Sequence, residues 1–444
     1  MSDRIWPGEW VASRLGVRLP DEGLLTDLVG LAVRRNPRRA HLLVSSVLGK
    51  HVPTDPRLVY GAGLALGHLV RGRLGAAAED AGELLGAALR GGSCAVLRDR
   101  LREPVPPVDA IVLGYAETAT ALGHAVADAL GGAHYLHSTR RPVEGFAAYG
   151  GFEEEHSHAT SHLLLPADIA DLDRDVPFVL VDDELSTGQT VLNTIAALHA
   201  VRPRRHYVLA ALVDMRGPAD LARVDELAER LGARIDAVSL AQGSVRLPSD
   251  ILETGQALVD ELSARAPGTE AGEDHEVRRL VLDWPPGLPD GGRHGFSPSD
   301  RAQLEKELPR MADAVLAELS DGVSRVHVLG FEELMYAPLR LAEALADALP
   351  DTDVRYSTTT RSPVLAVDDP GYAIRTRIVF PSHDDPADGP GERYAYNVTS
   401  AFDQIVLVVD GAGDTDALTN GLLARLRGLA PVLAVTVPSY GRPA

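Results

Sequence analysis

Cysteine is almost missing from the 444-residue chain: Cys94 stands alone, so no internal disulfide forms and no thiolate cluster can hold a metal. That scarcity points to a reducing, cytoplasmic setting. Lysine is nearly as rare, with only Lys50 and Lys306 among 43 basic residues. No apolar run approaches the roughly 18 residues a membrane-spanning helix needs, so no membrane partner is expected. The first residues carry Asp3, Trp6, Glu9 and Trp10 without an apolar stretch, so no signal peptide is expected there. Net positive charge is also lacking. The 63 acidic and 43 basic residues leave −20, and no basic patch offsets it, which argues against nucleic-acid binding. What remains is 45% apolar and 24% charged, an ordinary soluble globular composition long enough for two or three domains.

Residues 1–108 read as mostly helical or irregular, with strand-like runs at 41–47 and 57–60, and a proline-rich segment at 103–107 closes them off. From Asp109 short apolar runs alternate with amphipathic stretches, the α/β pattern. Strands are expected at 109–114, 133–138, 161–165, 177–182, 207–213 and 234–239. Leu122, Ala125, Val126, Ala129 and Leu130 share one helical face, as do Val191, Leu192, Ile195 and Leu198 in a helix beginning near Gly188. Residues 266–274 have linker composition, and 285–295 are rich in proline and glycine. A second α/β run follows, with a helix at 299–320, a strand at 325–330 and a helix to Leu349. The division is a first domain at 1–265 (extension or hood 1–108, core 109–265), a linker at 266–295 and a second domain at 296–444.

The halves repeat one another. Ile111-Val112-Leu113-Gly114-Tyr115-Ala116-Glu117 parallels His327-Val328-Leu329-Gly330-Phe331-Glu332-Glu333, and each precedes a helix ending Ala-Asp-Ala-Leu. Ser138-Thr139-Arg140-Arg141-Pro142 then answers Thr359-Thr360-Arg361-Ser362-Pro363, and Val179-Leu180-Val181-Asp182-Asp183 answers Val406-Leu407-Val408-Val409-Asp410. Four matches in one order indicate internal duplication.

Chemistry concentrates in Phe178–Thr190. An apolar strand ends in Asp182 and Asp183, with Glu184 and Leu185 next, and Ser186-Thr187-Gly188-Gln189-Thr190 then opens a helix. Successive amides of such a turn, with the positive end of the helix behind them, suit a phosphate. Gly188 permits close backbone approach. The paired carboxylates lie where ligands meet open α/β sheets, and suit vicinal hydroxyls and a Mg²⁺ that keeps its waters.

This segment resembles the 5-phosphoribosyl-1-pyrophosphate (PRPP) signature of type I phosphoribosyltransferases, whose fold is a parallel sheet flanked by helices with a hood for the base. The resemblance implies that Asp182 and Asp183 bind the ribose hydroxyls and the metal, and that the 186–190 turn holds the 5-phosphate. Gly114-Tyr115-Ala116-Glu117-Thr118-Ala119 matches the family's pyrophosphate loop in position and small residues. Thr360-Arg361-Ser362-Pro363 looks like the signature of the TRSP domain, which follows an orotate-phosphoribosyltransferase-like domain in bacterial proteins of tellurium-resistance stress gene clusters. The N-terminal Asn36-Pro37-Arg38-Arg39-Ala40-His41 and Val47-Leu48-Gly49-Lys50-His51 also look typical of that group. The implied activity is a Mg²⁺-dependent transfer of ribose 5-phosphate from PRPP to a nitrogenous base, with pyrophosphate released. The alternative is a non-catalytic PRPP or nucleotide sensor in a stress response. Ser186 replaces the acid that 6-oxopurine enzymes carry, and residues 140–160 lack the lysine of the orotate enzymes' mobile loop, so the base is left open. Homo-oligomerisation and stress-cluster partner proteins are open too.

Arg140 and Arg141 suit pyrophosphate, since guanidinium groups clamp it well. Lys50 could reach the pyrophosphate or a carboxylate on the base. Residues 140–160 have the composition of a lid, with Gly145, Gly150 and Gly151 as hinges. His156, His158 and His162 lack metal-site spacing. Gln242, Ser244 and Arg246 follow a late strand, where base contacts would fall. The second half reads as a degenerate copy: Val409 stands opposite Asp182, and Asp414 opposite Thr187 would repel phosphate.

Overall fold

The computed structural model describes residues 5–20, 23–34, 39–141, 143–152, 162–264, 274–382 and 391–440. Near the N-terminus β1 (Val29–Val33) pairs antiparallel with β2 (His41–Ser45). Helix α1 (Pro56–Arg73) then starts on an Asp55 cap, whose carboxylate accepts from the Arg57 amide, with proline in its first turn. Residues 57–60 are therefore helical, contrary to the strand their Leu-Val-Tyr run suggested, because cap and proline outweigh β propensity. Gly63 and Gly67 seat α1 on α2 (Thr120–Leu130). A Cβ on either glycine would lie 2.5 Å from the Cβ of Ala125 or Ala129.

The first sheet uses β3 (Ile111–Gly114), β4 (His134–His137), β7 (Phe178–Leu185), β8 (His206–Asp214) and β9 (Arg234–Gln242), while β5 (Gly150–Phe152) and β6 (His162–Leu164) form a separate antiparallel pair. Its order is β4-β3-β7-β8-β9, all parallel. Helix α3 (Gln189–Val201) begins where the apolar periodicity placed it and buries Val191, Leu192, Ile195 and Leu198.

The second sheet is built from β10 (Val277–Val281), β11 (Arg325–Gly330), β12 (Asp353–Thr358), β15 (Gln404–Asp410) and β16 (Val432–Val437), with β13 (Arg377–Pro381) and β14 (Glu392–Tyr396) as its antiparallel pair. Helices α4 (Pro298–Leu316) and α5 (Tyr336–Ala348) flank it. The order is β12-β11-β15-β16-β10, again all parallel. The duplication extends to register: Leu113 faces Leu180 as Leu329 faces Leu407. The edge strand departs from the repeat, since β9 follows β8 in the chain whereas β10 precedes β11.

One expectation needs correction here. The segment 266–295 is not linker throughout, because Val277–Val281 is a strand of the second sheet and the His294 carbonyl accepts from the Ala167 amide of the first half at 2.8 Å; just beyond it, Phe296 exchanges backbone hydrogen bonds with Tyr135. The halves pack against one another. One apolar cluster runs from Val112 and Tyr135 through Phe296 and Tyr336 to Val326 and Val406, while the opposite face of each sheet has its own cluster. Burial drives this arrangement. The N-terminal region bridges the halves as well: the Val33 amide donates to the Tyr372 hydroxyl at 2.7 Å, and Thr54 pairs with Tyr356. Among the described residues no helix is long and apolar enough to cross a membrane.

Candidate functional site

Strand β7 outruns its neighbour. Pairing with β3 ends at Gly114–Val181, while pairing with β8 continues to Leu185. Asp182, Asp183 and Glu184 thus emerge half-buried at the carboxyl edge of the sheet, with Leu185 turned into the core. Asp182 Oδ1 accepts from the Asp183 amide at 2.9 Å, and Glu184 pairs with Arg39 at 2.7 Å.

The turn 186–190 follows directly. Gly188 has φ +74°, and Thr187 Oγ1 accepts from the Gln189 amide at 3.3 Å. Gly188, the N-cap of α3, brings no side chain of its own to the first amides, and Ser186, Thr187 and Thr190 stand half-buried around the turn. Arg216 closes the turn from behind. A Cβ on Gly188 would lie 3.1 Å from its Cδ, and Asp214 holds its guanidinium at 2.9 and 2.6 Å. Sequence reasoning missed Arg216, and it read Arg39 only as part of an N-terminal motif, because the contacts of both with this site are made by the fold.

The loop after β3 is the second wall. Tyr115 and Ala116 are buried; the Tyr115 amide donates to Val181 and the Ala116 amide to Ser138 Oγ at 3.0 Å. Lys50 is buried at 6% exposure and reaches this loop, donating to Thr118 Oγ1 at 2.6 Å and standing 3.5 Å from Glu117. The structure therefore brings Lys50 to Glu117 and Thr118, with 68 positions between Lys50 and Thr118 in the chain.

Glu117 has a counterpart across the molecule. It accepts from the Thr360 hydroxyl and from the Arg361 amide at 3.2 Å. Reciprocally, Glu333 accepts from Thr139 Oγ1 at 2.8 Å and from the Arg140 amide at 3.1 Å. Each half thus holds the Thr-Arg loop of the other by the glutamate of its own first loop. Burial alone would raise the Glu333 carboxyl pKa, but Arg293, His137, Arg141 and the Thr139 hydrogen bond bring it down to about 2. Burial likewise drops His137 to about 4 against the pull of Glu333.

Arg140 Nη2 lies 3.3 Å from His162 Nε2, and His162 Nδ1 lies 2.8 Å from Ser138 Oγ. Arg141 reaches the other half, pairing with Asp410 at 3.0 Å. Of the stretch read as a lid, 153–161 lie outside the described residues, as do Asn36, Pro37, Arg38 and most of the 266–274 linker. In the remainder Gly145 has φ +87° and Phe146 stacks on His294 at 3.6 Å. Gln242 at the end of β9 and Ser244 just past it are exposed, and Arg246 makes backbone bonds with Arg18. Among the described residues no three His, Cys, Asp or Glu side chains cluster to cage a metal.

Residues 28–244 match the family described as phosphoribosyl transferase, and residues 290–426 match the TRSP domain found C-terminal to it. Comparison with curated proteins gives no match. Among solved structures, adenine phosphoribosyl transferase from Trypanosoma brucei, in complex with AMP, pyrophosphate and ribose-5-phosphate, is 18% identical with a TM-score of 0.24, covering 32% of this chain and 60% of that one. The enzyme from Giardia lamblia, complexed with 9-deazaadenine, is 14% identical with a TM-score of 0.28, covering 50% and 98%. That from Rhodothermus marinus is 14% identical with a TM-score of 0.27, covering 49% and 96%.

Proposed function

We propose that this chain, a phosphoribosyl transferase domain followed by a TRSP domain, transfers ribose 5-phosphate from PRPP to a nitrogenous base in its first half and releases pyrophosphate. The observation that carries the reading is the overrun of β7, which sets two adjacent carboxylates beside a glycine-capped helix turn at the sheet's carboxyl edge. In this reading Asp182 and Asp183 accept hydrogen bonds from the ribose hydroxyls. The 186–190 amides and hydroxyls hold the 5-phosphate, backed by Arg216. The loop of Tyr115, Ala116, Glu117 and Thr118, with Lys50 and Arg140, receives the pyrophosphate, while Arg141 pairs with Asp410 of the other half.

The carboxylate pair also fits Mg²⁺, which binds through one or two carboxylates plus substrate oxygens and waters rather than in an all-protein cage. Bound there, the ion would neutralise charge on the departing pyrophosphate. The sugar C1–O bond to pyrophosphate breaks, a C1–N bond to the base forms, and the nitrogen's proton passes to solvent. The chain's part is to position the reactants and stabilise charge. The second half, in this reading, is a diverged copy without transfer chemistry.

The test is incubation of the full chain with PRPP, Mg²⁺ and a panel of bases, following pyrophosphate release. Release dependent on one base supports transfer. PRPP binding without turnover on any base replaces it with the sensor, and absence of PRPP binding to folded protein removes both.

A further inference from the structure

The two halves make matching backbone and hydroxyl contacts around one position and fill it differently. The Ser138 amide donates to the Gly114 carbonyl at 3.0 Å, as the Thr359 amide does to Gly330 at 3.1 Å. Ser138 Oγ accepts from the Ala116 amide at 3.0 Å, as Thr359 Oγ1 does from Glu332 at 3.1 Å. Thr139 bridges to Leu163 and Thr360 to Tyr394, each on the antiparallel pair of its half. These contacts make Ala116 equivalent to Glu332, Arg140 to Arg361, and His162 to Arg393.

In the first half the loop contributes only a methyl group at this point, and Arg140 and His162 approach one another. In the second, the Glu332 carboxylate stands between two guanidinium groups. Its Oε2 accepts from Arg361 Nε at 2.9 Å, and its Oε1 from Arg393 Nε at 2.7 Å. The carboxylate is 3% exposed, and Arg393, at 4%, keeps a buried Nη2 with no hydrogen-bond partner. Glu332 holds φ +44°, a left-handed conformation that side chains of this kind rarely adopt. The carboxylate is thus kept in the cradle at a backbone cost.

We propose that the second half retains an anion cradle, formed by the 330–333 loop, Arg361 and Arg393, and that Glu332 occupies it in place of a phosphate-class ligand. A tethered carboxylate is present at high effective concentration and pairs well with guanidinium groups, so a dissolved anion does not displace it. The plug also bears on the first half. Arg361, held by Glu332, donates its backbone amide to Glu117 at 3.2 Å, so the filled cradle presents a fixed surface to the first half's loop. Only the choice of pyrophosphate as the probe rests on the function proposed for the first half.

The test counts inorganic pyrophosphate equivalents bound to the full chain by calorimetry, comparing wild type with Glu332→Gly, since glycine accepts the left-handed φ. The variant is expected to bind one equivalent more than wild type, and Arg393→Ala in that background is expected to lose the gained equivalent. Equal stoichiometry in wild type and folded Glu332→Gly overturns the proposal. Should Glu332→Gly fail to fold in buffer alone, folding restored by pyrophosphate supports it, and no restoration overturns it. The wild-type count reports separately on the first half. None in wild type and one in the variant keeps the plugged cradle while removing the first-half reading, and one in each does the reverse.

Discussion

Glu333→Gln removes one charge from the contact between the halves and leaves the shape intact. The carboxylate is 8% exposed and accepts from Thr139 Oγ1, the Arg140 amide and, at 3.2 Å, Arg293 Nε. Its pKa falls from 4.5 to about 2, which converts at 1.36 kcal/mol per unit to roughly 3 kcal/mol of folded-state stabilisation. Breaking a buried ion pair from one side costs about 3–5 kcal/mol, so the two routes agree. Because one core runs through both halves, the chain should melt as a unit. With about 2.1 cal/mol/K per residue over 444 residues, the loss lowers the melting temperature by about 3 °C at pH 7. The folded pKa lies below the unfolded one, so the stabilisation is fully present above about pH 4.5 and fades as pH falls toward about 2. The gap between wild type and variant should therefore be constant from pH 7 to pH 5 and shrink to under half by about pH 3. Scanning calorimetry across that range measures it. A variant melting within about 1 °C of wild type at pH 7, or a gap that does not change with pH, refutes the role given to this carboxylate.

Replacing both Asp182 and Asp183 with Asn should lower pyrophosphate release by at least about a hundredfold with little change in melting, since both are half-buried at a strand end; steady-state kinetics and calorimetry check the split. Gly188→Ala forces a methyl-bearing residue to φ +74° and toward Arg216, so stability should fall by about 1–2 kcal/mol, read in urea, with PRPP affinity reduced alongside. Asp410→Asn keeps an acceptor for the Gly413 amide but loses the charge opposite Arg141, so titration should find PRPP binding nearly unchanged while thermal stability drops. Loss of binding as complete as in the first-half double variant would mean that both halves build the site.

Local chemistry was the legible part. The strand ending in Asp182-Asp183 and the turn at Gly188 could be read from adjacent residues, because a strand end, a glycine and a helix start are decided within about a dozen positions. Repeats could be read for the same reason, since each matching run is continuous. Failures came where a local signal met a stronger neighbour or a distant partner. Residues 57–60 carry strand-forming side chains, yet Asp55 and Pro56 start a helix there. Val277–Val281 is short and rich in arginine, and only its place beside β16, more than 150 residues on, makes it a strand.

The contact between the halves shows most clearly what a linear reading loses. Glu117 and Glu333 occupy matching places in the repeat, and each looks like a polar loop residue. Their meaning lies in reciprocity: Glu117 meets Thr360 and Arg361, and Glu333 meets Thr139 and Arg140, separations of 243 and 244 and of 194 and 193 residues. One interaction used twice, once in each direction, is the geometry of a two-fold pair. Here the pair is closed within one chain, so neither copy depends on protein concentration for its partner. That closure removes the need for the copies to stay alike. Ala116 and Glu332 differ by a single side chain at one loop position. The difference changes what stands beside Arg140 and His162 in one half, and between Arg361 and Arg393 in the other, while the contacts that join the halves remain the same on both sides.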